Sequence, residues 1–441
     1  MDILLVQPAI SKEFNFVESS HNHFSPLGLA LLAGLTPEEH SISLTDDRLE
    51  EITYDPSLDL VGISTTTFTA RRAYEIADRF KARGVPVVIG GHHPTLLPEE
   101  ASLHADAVLI GEAEGKWKRL LSDREKGELK PVYSSERKPP FSSSPPPNRD
   151  IFRDKGYLPV GLVETTRGCP YRCEFCSVHS FFGSGYRHKS IGRVLEEIER
   201  MGKDVIFFVD DNIAGDVKYA KELFKRLIPL QIRWFGQASL RIARDQELLR
   251  LMKESGCIGN LIGIESLSEE SLKQVNKTWN KELPYSEAIE RIHGDGLGIF
   301  ASFILGLDGD DAGAVERTLR FALKSKFMAA NFNMLVPYPG TATYRKLKEE
   351  GRLLRDPWWL KESYEERYGL ARFSPLQFEP DELARKVARA NRDFYSYGSI
   401  FSRGLNVKAN LRSPFGGWLY FALNRSLRGQ YRRQYESCLS A

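Results

Sequence analysis

Residues 160–177 read Val160-Gly-Leu-Val-Glu-Thr-Thr-Arg-Gly-Cys-Pro-Tyr-Arg-Cys-Glu-Phe-Cys-Ser177, an apolar strand followed by a loop with three of the chain's five cysteines. Cys169, Cys173 and Cys176 follow the spacing C-x3-C-x2-C. Three thiolates on one tight loop can bind three irons of a 4Fe–4S cluster and leave the fourth iron open, whereas an electron carrier normally uses four Cys. Zinc is the alternative, with His179 or His188 as the fourth ligand that zinc usually takes.

The composition is typical of a folded protein in a reducing compartment. The chain has 441 residues, 41% of them hydrophobic and 27% charged, and a net charge of +2. These values suggest about three domains and no general nucleic-acid surface. An odd number of cysteines does not form a secreted disulfide framework. The start of the chain does not read as a signal peptide, and no apolar run approaches the ~18 residues of a membrane span, so we expect a cytoplasmic location.

The first part of the chain alternates apolar runs and amphipathic segments. Strands are predicted at 2–6, 60–64, 85–91 and 107–112, and helices at 26–35 and 70–83. Such alternation predicts an α/β fold, here a doubly wound, Rossmann-like parallel sheet over 1–133. Ligands of such sheets bind beyond the carboxyl ends of the strands. Ser64, the run 90–93 and the run 111–114 all fall there.

A Pro/Ser-rich linker is predicted at 134–152, since its composition favours polyproline II over regular structure. Six further strand–helix repeats follow over 153–355, with strands near 160, 205, 232, 260, 299 and 331. Six repeats predict a partial (β/α)6 barrel, short of the eight of a closed barrel, with polar residues on the rim where each strand ends. Residues 356–441 are predicted to form a mostly helical extension.

The cysteine run Gly168-Cys-Pro-Tyr-Arg-Cys-Glu-Phe-Cys-Ser177 resembles the signature of the radical S-adenosylmethionine (radical SAM) enzymes, including the aromatic Phe175 before the third Cys. The resemblance implies a cluster whose open iron binds S-adenosylmethionine. Reductive cleavage then gives methionine and a 5′-deoxyadenosyl radical that abstracts hydrogen from an unactivated carbon.

Further resemblances along the barrel rim imply S-adenosylmethionine contacts. Asp210 and Asp211 resemble the segment for the methionine amine, and Gln237 and Ser239 the ribose contact after the fourth strand. Arg241 and Glu265, the latter in a segment similar to the fifth strand of the family, are expected to pair near the methionine carboxylate. The full predicted set is Phe175, Asp210, Asp211, Gln237, Ser239, Arg241, Glu265 and Val336.

The N-terminal region resembles the cobalamin-binding domain fused to one branch of this superfamily. The pattern that supplies a lower axial His elsewhere is absent, so the resemblance implies base-off cobalamin without a His ligand. His92 and His93 are interpreted as loop or substrate-side residues. The predicted cobalamin contacts are Pro8, Leu27, Gly28, Ser64, Thr66, Gly90, Gly91, His92, Gly111 and Glu112.

The combined resemblance implies methylation of an unactivated carbon in a small-molecule, lipid or tetrapyrrole-type substrate, with an electron donor such as flavodoxin or ferredoxin and no nucleic-acid partner. Ring contraction, cyclisation or oxidation with the same cofactors is the alternative. Transfer-RNA methylthiolation would need N-terminal cysteines, and no Cys precedes Cys169. A non-catalytic corrinoid or cluster sensor would need a DNA- or partner-binding module, and none is visible.

The C-terminal tail is strongly basic. Residues 402–435 contain seven Lys or Arg and no Asp or Glu, and the aromatic run 415–423 lies among them. Such a segment could lie on an anionic membrane surface. The alternative is a basic helix that packs on the barrel through its aromatic residues.

Overall fold

The computed structural model describes residues 1–10, 23–183, 185–361 and 370–440, with side chains as far as 436. The described chain divides into two compact units. The first comprises Met1–Leu162 with Ser180–Gly183 and Arg355–Glu365, and the second comprises Val163–His179, Ser184–Leu354 and Glu366–Ala441. Among the described residues, no helix combines the length and apolar character that crossing a membrane requires.

The first unit is built on a six-stranded parallel sheet with the order β2-β1-β3-β4-β5-β6. Its inner strands are apolar on both faces because helices cover both sides of such a sheet. The elements are β1 (Asp2–Gln7), α1 (Leu27–Leu35), β2 (Ser41–Asp46), β3 (Leu60–Ser64), α2 (Ala70–Lys81), β4 (Val87–Gly90), α3 (His92–Leu96), α4 (Pro98–Ser102), β5 (Ala107–Leu109), α5 (Trp117–Glu125) and β6 (Val132–Tyr133).

The doubly wound fold is confirmed, but the prediction omitted both edge strands. β2 lies at one edge, and its sequence Ser-Ile-Ser-Leu-Thr-Asp alternates because one face is more exposed than the other. β6 at the other edge has only two residues. Neither strand produces the continuous apolar run on which the prediction relied.

The Pro/Ser-rich segment 134–152 lies within the first unit rather than between two units. Phe141 is buried, Ser144 Oγ donates to Glu114 Oε1 at 2.7 Å, and the Asn148 amide donates to Ala30 O at 2.8 Å. Two short 3-10 turns interrupt it, at Phe141–Ser143 and Arg149–Phe152. A linker prediction from composition missed these contacts because they join residues that are distant in sequence.

The second unit holds an open six-stranded sheet in the order β14-β13-β12-β11-β10-β7, as the six predicted repeats require. The two strands β8 and β9 pair separately and antiparallel beside the cysteine loop. The strands are β7 (Gly161–Val163), β8 (Thr166–Arg167), β9 (Arg187–His188), β10 (Val205–Phe208), β11 (Arg233–Ala238), β12 (Cys257–Glu265), β13 (Gly298–Leu305) and β14 (Ala329–Met334).

Amphipathic helices cover this sheet. One of them is α7 (Ile191–Met201). The Ser190 side chain caps its start by accepting from the Arg193 amide, and Gly202 ends it with φ 58°. The remaining helices are α6 (Ser177–Phe182), α8 (Val217–Leu227), α9 (Gln246–Glu254), α10 (Glu269–Gln274), α11 (Tyr285–Gly294), α12 (Ala314–Lys324), α13 (Ala342–Glu349), α14 (Trp358–Lys361), α15 (Pro380–Phe394), α16 (Tyr397–Gly404), α17 (Val407–Asn410) and α18 (Pro414–Ser440).

The predicted helical extension is confirmed, and one face of it packs on the second unit. Arg403, counted above as part of the basic tail, is fully buried. Its guanidinium donates to Phe327 O at 2.9 Å, Met328 O at 3.1 Å and Asn424 Oδ1 at 2.8 Å. Tyr420 is also fully buried. The inner face of α18 therefore belongs to the core of the second unit.

Candidate functional site

The cysteine loop lies at the carboxyl edge of the second sheet. Cys169, Cys173 and Cys176 are all free thiols and partly buried. Burial raises the pKa of Cys173 to about 12 and of Cys176 to about 11, and neighbouring thiolates add to the rise. The three sulfurs therefore interact with one another in a desolvated site, where iron binding replaces the protons.

No group of three His, Cys, Asp or Glu side chains in the described ranges has the geometry of a single metal ion site. A cluster differs from a single ion because each thiolate binds a separate iron.

Asp210 follows β10 and accepts hydrogen bonds from residues between β7 and the cysteine loop. Its Oδ1 accepts bonds from the Thr165 amide at 3.0 Å, the Thr165 hydroxyl at 2.9 Å and the Thr166 hydroxyl at 2.6 Å. Burial raises the pKa of Asp210 to about 6 and that of Asp211 to about 7. The Oδ1 atom therefore has a structural role, and Asp210 Oδ2 is the atom left for a ligand.

Gln237 and Ser239 lie at the end of the third strand of the sheet, which is the strand predicted near residue 232. Gln237 belongs to β11, the third strand of the sheet, and Glu265 ends β12, the fourth. The strands predicted near 232 and 260 are likewise third and fourth, whereas the family resemblance compared these segments with a fourth and a fifth strand. Asn212 connects the ends of β10 and β11, since its Oδ1 accepts from the Ser239 amide at 3.3 Å.

The predicted pair between Arg241 and Glu265 is wrong. Arg241 Nε lies 3.0 Å from Glu282, while Glu265 Oε1 accepts from Lys277 Nζ at 2.6 Å. Glu265 has φ 63°, at a register shift between β12 and β13. Non-glycine residues with positive φ are uncommon and cluster at functional sites, which supports Glu265 as a site residue while changing its partner.

Phe175 packs on the apolar side of the loop, and Val336 lies in the segment after β14. Phe175 packs against a buried cluster that includes Val275, Leu307 and Leu335. Val336 follows β14, and its neighbour Tyr338 interacts electrostatically with Cys176. Phe175 therefore supports the loop, and the contact of Phe175 and Val336 with S-adenosylmethionine stays a prediction.

Buried polar atoms at this edge test whether a ligand fits. Asp210 Oδ2, Asn212 Nδ2 and Asn280 Oδ1 are buried and have no hydrogen-bond partner among the described residues. Buried polar atoms are rarely left unsatisfied, because the desolvation penalty is ~1–3 kcal/mol for each one. Such atoms fit the amine, carboxylate and hydroxyl groups of S-adenosylmethionine, with the three cysteines as holders of the cluster.

In the first unit, the strand order reverses between β1 and β3, which is where open α/β sheets bind ligands. Pro8 follows β1 directly, Ser64 ends β3, and Thr66 lies two residues beyond it. Leu27 and Gly28 form the first turn of α1, and a Cβ on Gly28 would meet nothing within 4 Å. Backbone and hydroxyl groups at an open edge fit a large ligand with many amide groups.

The glycines of this edge allow close backbone packing. Gly90 ends β4, and Gly91 has φ 102°. A Cβ on Gly91 would lie 2.8 Å from Thr65 O, so a larger residue cannot fit there. Gly111 has φ 72° and precedes Glu112. The structure thus brings the predicted glycines to the same edge.

The two histidines have different positions from those predicted, since both lie in the short helix α3 rather than in a loop. His92 stacks on Phe181 with ring centroids 5.0 Å apart. His93 is fully buried, with Nε2 2.9 Å from Glu100 and Nδ1 3.2 Å from Thr67. His93 is therefore a core residue with both nitrogens partnered.

The fold and the two sites together define an enzyme class that pairs a cobalamin domain with a radical SAM domain. The family model for the Radical SAM superfamily matches residues 163–322, and the model for the B12 binding domain matches residues 16–121. The chain is 32% identical over 440 residues to bacteriochlorophyllide d C-12(1)-methyltransferase of Chlorobaculum tepidum, covering 96% of this chain and 93% of that protein. It belongs to the cobalamin-dependent radical SAM methyltransferases, and its cofactors are a 4Fe–4S cluster, S-adenosylmethionine and cobalamin.

Two more distant proteins are similar over most of the chain. Hopanoid C-2 methylase of Rhodopseudomonas palustris is 27% identical over 377 residues, covering 80% of this chain and 71% of that protein. The radical S-adenosylmethionine methyltransferase TsrM of Kitasatospora setae, solved with cobalamin and a [4Fe-4S] cluster bound, shares the fold with a TM-score of 0.63 at 16% identity. That match covers 100% of this chain and 99% of that chain.

Some residues that reach the cysteine loop from other segments were not predictable from the sequence. Lys277, Asn212 and Trp279 stand far from the cysteines in sequence and belong to no periodic pattern. The Trp279 ring stacks on Tyr171 of the loop with centroids 4.4 Å apart. Only the parallel sheet brings the ends of β10 and β12 beside this loop.

Proposed function

We propose that this enzyme methylates an unactivated carbon of a tetrapyrrole-type substrate. The observation that carries the proposal is the similarity over nearly the whole chain to a bacteriochlorophyllide methyltransferase. A lipid-type substrate is the second candidate, favoured by the similarity to a hopanoid methylase. Bound S-adenosylmethionine and cluster supply a radical able to take hydrogen from carbon, and bound cobalamin supplies the methyl group.

The net reaction requires an electron donor. Two molecules of S-adenosylmethionine, one substrate C–H bond and two electrons give the methylated carbon, S-adenosylhomocysteine, methionine and 5′-deoxyadenosine. The two electrons must come from outside the chain. A small redox protein such as flavodoxin or ferredoxin is the proposed donor, in a reducing, cytoplasmic compartment.

The test is anaerobic turnover of the fully reconstituted enzyme with bacteriochlorophyllide and, separately, a hopanoid lipid. With S-adenosylmethionine that carries a trideuterated methyl group, we expect a product heavier by one such group and equal amounts of 5′-deoxyadenosine and S-adenosylhomocysteine. A rearranged or oxidised product without the label would instead establish the ring-contraction, cyclisation or oxidation alternative. Labelling of the lipid alone would change the substrate class.

We further propose that the outer surface of the C-terminal helices meets an anionic membrane, where apolar substrates of these types reside. Tyr397, Phe401 and Leu405 have helical spacing along and just beyond α16, and Trp418 and Phe421 lie on the outer side of α18. Trp418 is 64% exposed and Phe401 63%. Phe401 and Phe421 lie 6.1 Å apart, so the two helices contribute to one surface. This aromatic face consists of Tyr397, Phe401, Leu405, Val407, Trp418 and Phe421.

Charges around the aromatic face support an anionic partner. Lys408, Arg412 and Arg425 are exposed near it, and Arg428 lies over the Tyr397 ring at 4.0 Å. No Asp or Glu occurs between 402 and 435. Exposed apolar patches mark interaction sites, and aromatic residues combined with Arg and Lys suit the boundary of an anionic bilayer.

Vesicle flotation of the full-length holoenzyme tests this face. We expect binding to phosphatidylglycerol vesicles that weakens as salt rises, little binding to phosphatidylcholine, and loss of binding for the double variant W418E/F421E. Leu376→Glu is the matched control, because Leu376 is 60% exposed but lies outside the face. Absence of flotation by the wild type, or self-association abolished by W418E/F421E without any lipid binding, would contradict the proposal.

A further inference from the structure

The cysteine loop is held by one short segment that follows α10. We call residues Val275–Trp279 the clamp segment. It contacts three successive parts of the loop through both backbone and side chains. The Glu174 amide donates to Val275 O at 3.1 Å, Asn276 Nδ2 donates to Arg172 O at 2.9 Å, and the Trp279 ring stacks on Tyr171.

Lys277 occupies the middle of the clamp segment and is buried. Its Nζ donates to Glu265 Oε1 at 2.6 Å. The fit is close, because a Cβ on Gly263 would lie 2.6 Å from Lys277 Nζ and 2.0 Å from Glu265 Oε1. Burial alone would lower the pKa of Lys277, but Glu265 and Cys173 outweigh it and raise this pKa above the usual value. The amine is therefore a positive charge fixed beside the loop.

Lys277 acts on all three cysteines. Burial raises the pKa of each thiol, and Lys277 opposes that rise at Cys169, Cys173 and Cys176. Glu265 has the opposite effect on Cys173. The cysteine loop is thus next to a cation and an anion of one buried ion pair. Low effective dielectric in a desolvated site strengthens the influence of both charges.

We propose that Lys277 is a positioning residue that raises the reduction potential of the cluster bound by Cys169, Cys173 and Cys176, and that Glu265 offsets part of this effect. Reduction adds one negative charge to the cluster, so a nearby fixed cation stabilises the reduced state. The consequence is easier electron entry from the donor. The inference needs the cluster but no methyl acceptor, so its test is independent of the proposed substrate.

The test is a redox titration of the full chain, reconstituted anaerobically and followed by electron paramagnetic resonance without substrate. At the wild-type midpoint potential, we expect Lys277→Met to lower the ratio of reduced to oxidised cluster about tenfold, ~59 mV for a one-electron couple. Glu265→Gln should raise that ratio. Lys277→Arg keeps the charge and should stay close to wild type, as should Lys281→Met, which removes an exposed lysine four residues away.

Opposite changes of the ratio of reduced to oxidised cluster in Lys277→Met and Glu265→Gln distinguish an effect of charge from a merely structural role. Loosening of the loop would change this ratio in the same direction in both variants. An unchanged ratio in Lys277→Met at full iron and sulfide content overturns the proposal, as do shifts of Lys277→Met and Glu265→Gln with the same sign. If Lys277→Met takes up no cluster, Glu265→Gln alone tests the proposal. The absence of a rise in its ratio of reduced to oxidised cluster then overturns the proposal.

Discussion

Cys173 stands between the other two cysteines and shares the electrostatic field of both. In the proposed assignment Cys173 is one of three protein ligands of the cluster, and two thiolates on this loop cannot hold three irons. We expect Cys173→Ala to lose both the visible absorbance of the cluster and the formation of 5′-deoxyadenosine. Anaerobic reconstitution, iron analysis and chromatography of the nucleoside products measure this.

Cys257 provides the matched control. It is buried at the start of β12, and Glu265 ends the same strand, about 26 Å away at ~3.3 Å per residue. Its thiol is free and accepts from Asn260 Nδ2 at 3.3 Å. Cys257→Ala should keep the cluster and the cleavage of S-adenosylmethionine. Cluster binding by Cys173→Ala, or its loss in Cys257→Ala, would contradict the assignment of the ligands.

Among the elements, the loop after β13 is linked to helices α10 and α13 through the side chain of Asp308. Its carboxylate accepts from Gln274 of α10 at 2.7 Å, Lys346 of α13 at 2.9 Å and Arg352 at 2.7 Å. Burial alone would raise the pKa of Asp308, but the bonds from Arg352 and Lys346 outweigh it and lower the pKa below its usual value. The carboxylate therefore joins three segments around the rim of the sheet.

A lowered carboxyl pKa stabilises the folded state above the unfolded pKa, and this contribution is lost as the pH falls through the folded value. Asp308→Asn should decrease the free energy of unfolding by about 1–2 kcal/mol at pH 7, after allowance for partial solvent exposure. The difference from wild type should close as the pH falls through the folded pKa of Asp308, which lies below the usual aspartate value. Denaturation curves across this pH range measure both effects.

Asp311→Asn tests whether position matters more than charge. Asp311 also pairs with an arginine, Arg317, at 2.8 Å, but it is exposed to solvent and joins no second element. Its substitution should change the stability little, because exposed ion pairs contribute little. Equal losses for both variants would show that the Asp308 network has no special role.

Local sequence patterns predicted some of the strands and not others. The inner strands were predictable because each buries both faces and reads as a continuous apolar run. The edge strands β2 and β6 were not, because one alternates and the other is too short. The segment 134–152 lacks a pattern of its own, and it gains its order only from contacts with residues such as Glu114 and Ala30.

At the scale of the whole molecule, the two units carry separate cofactors, so their contributions can be separated by omission. Protein reconstituted with the cluster but without cobalamin should form 5′-deoxyadenosine and no methylated product. Adding cobalamin should restore methylation in the same preparation. Methylated product formed without cobalamin, measured by mass spectrometry with labelled S-adenosylmethionine, would contradict the role of the first unit.

From the amino-acid sequence we could predict the six strand–helix repeats of the second sheet and the glycine-rich edge of the first. The three cysteines of the loop remain predicted ligands of the cluster. These features depend on spacing within a few residues or on the period of buried strands. The tertiary structure alone decided the ion pairs: Glu265 pairs with Lys277 and Arg241 with Glu282. It also decided that Arg403 is buried while Trp418 is exposed. The physical reason is that charged side chains pair by distance in space, and the fold brings Glu265 to Lys277, 12 positions away, and Arg241 to Glu282, 41 positions away.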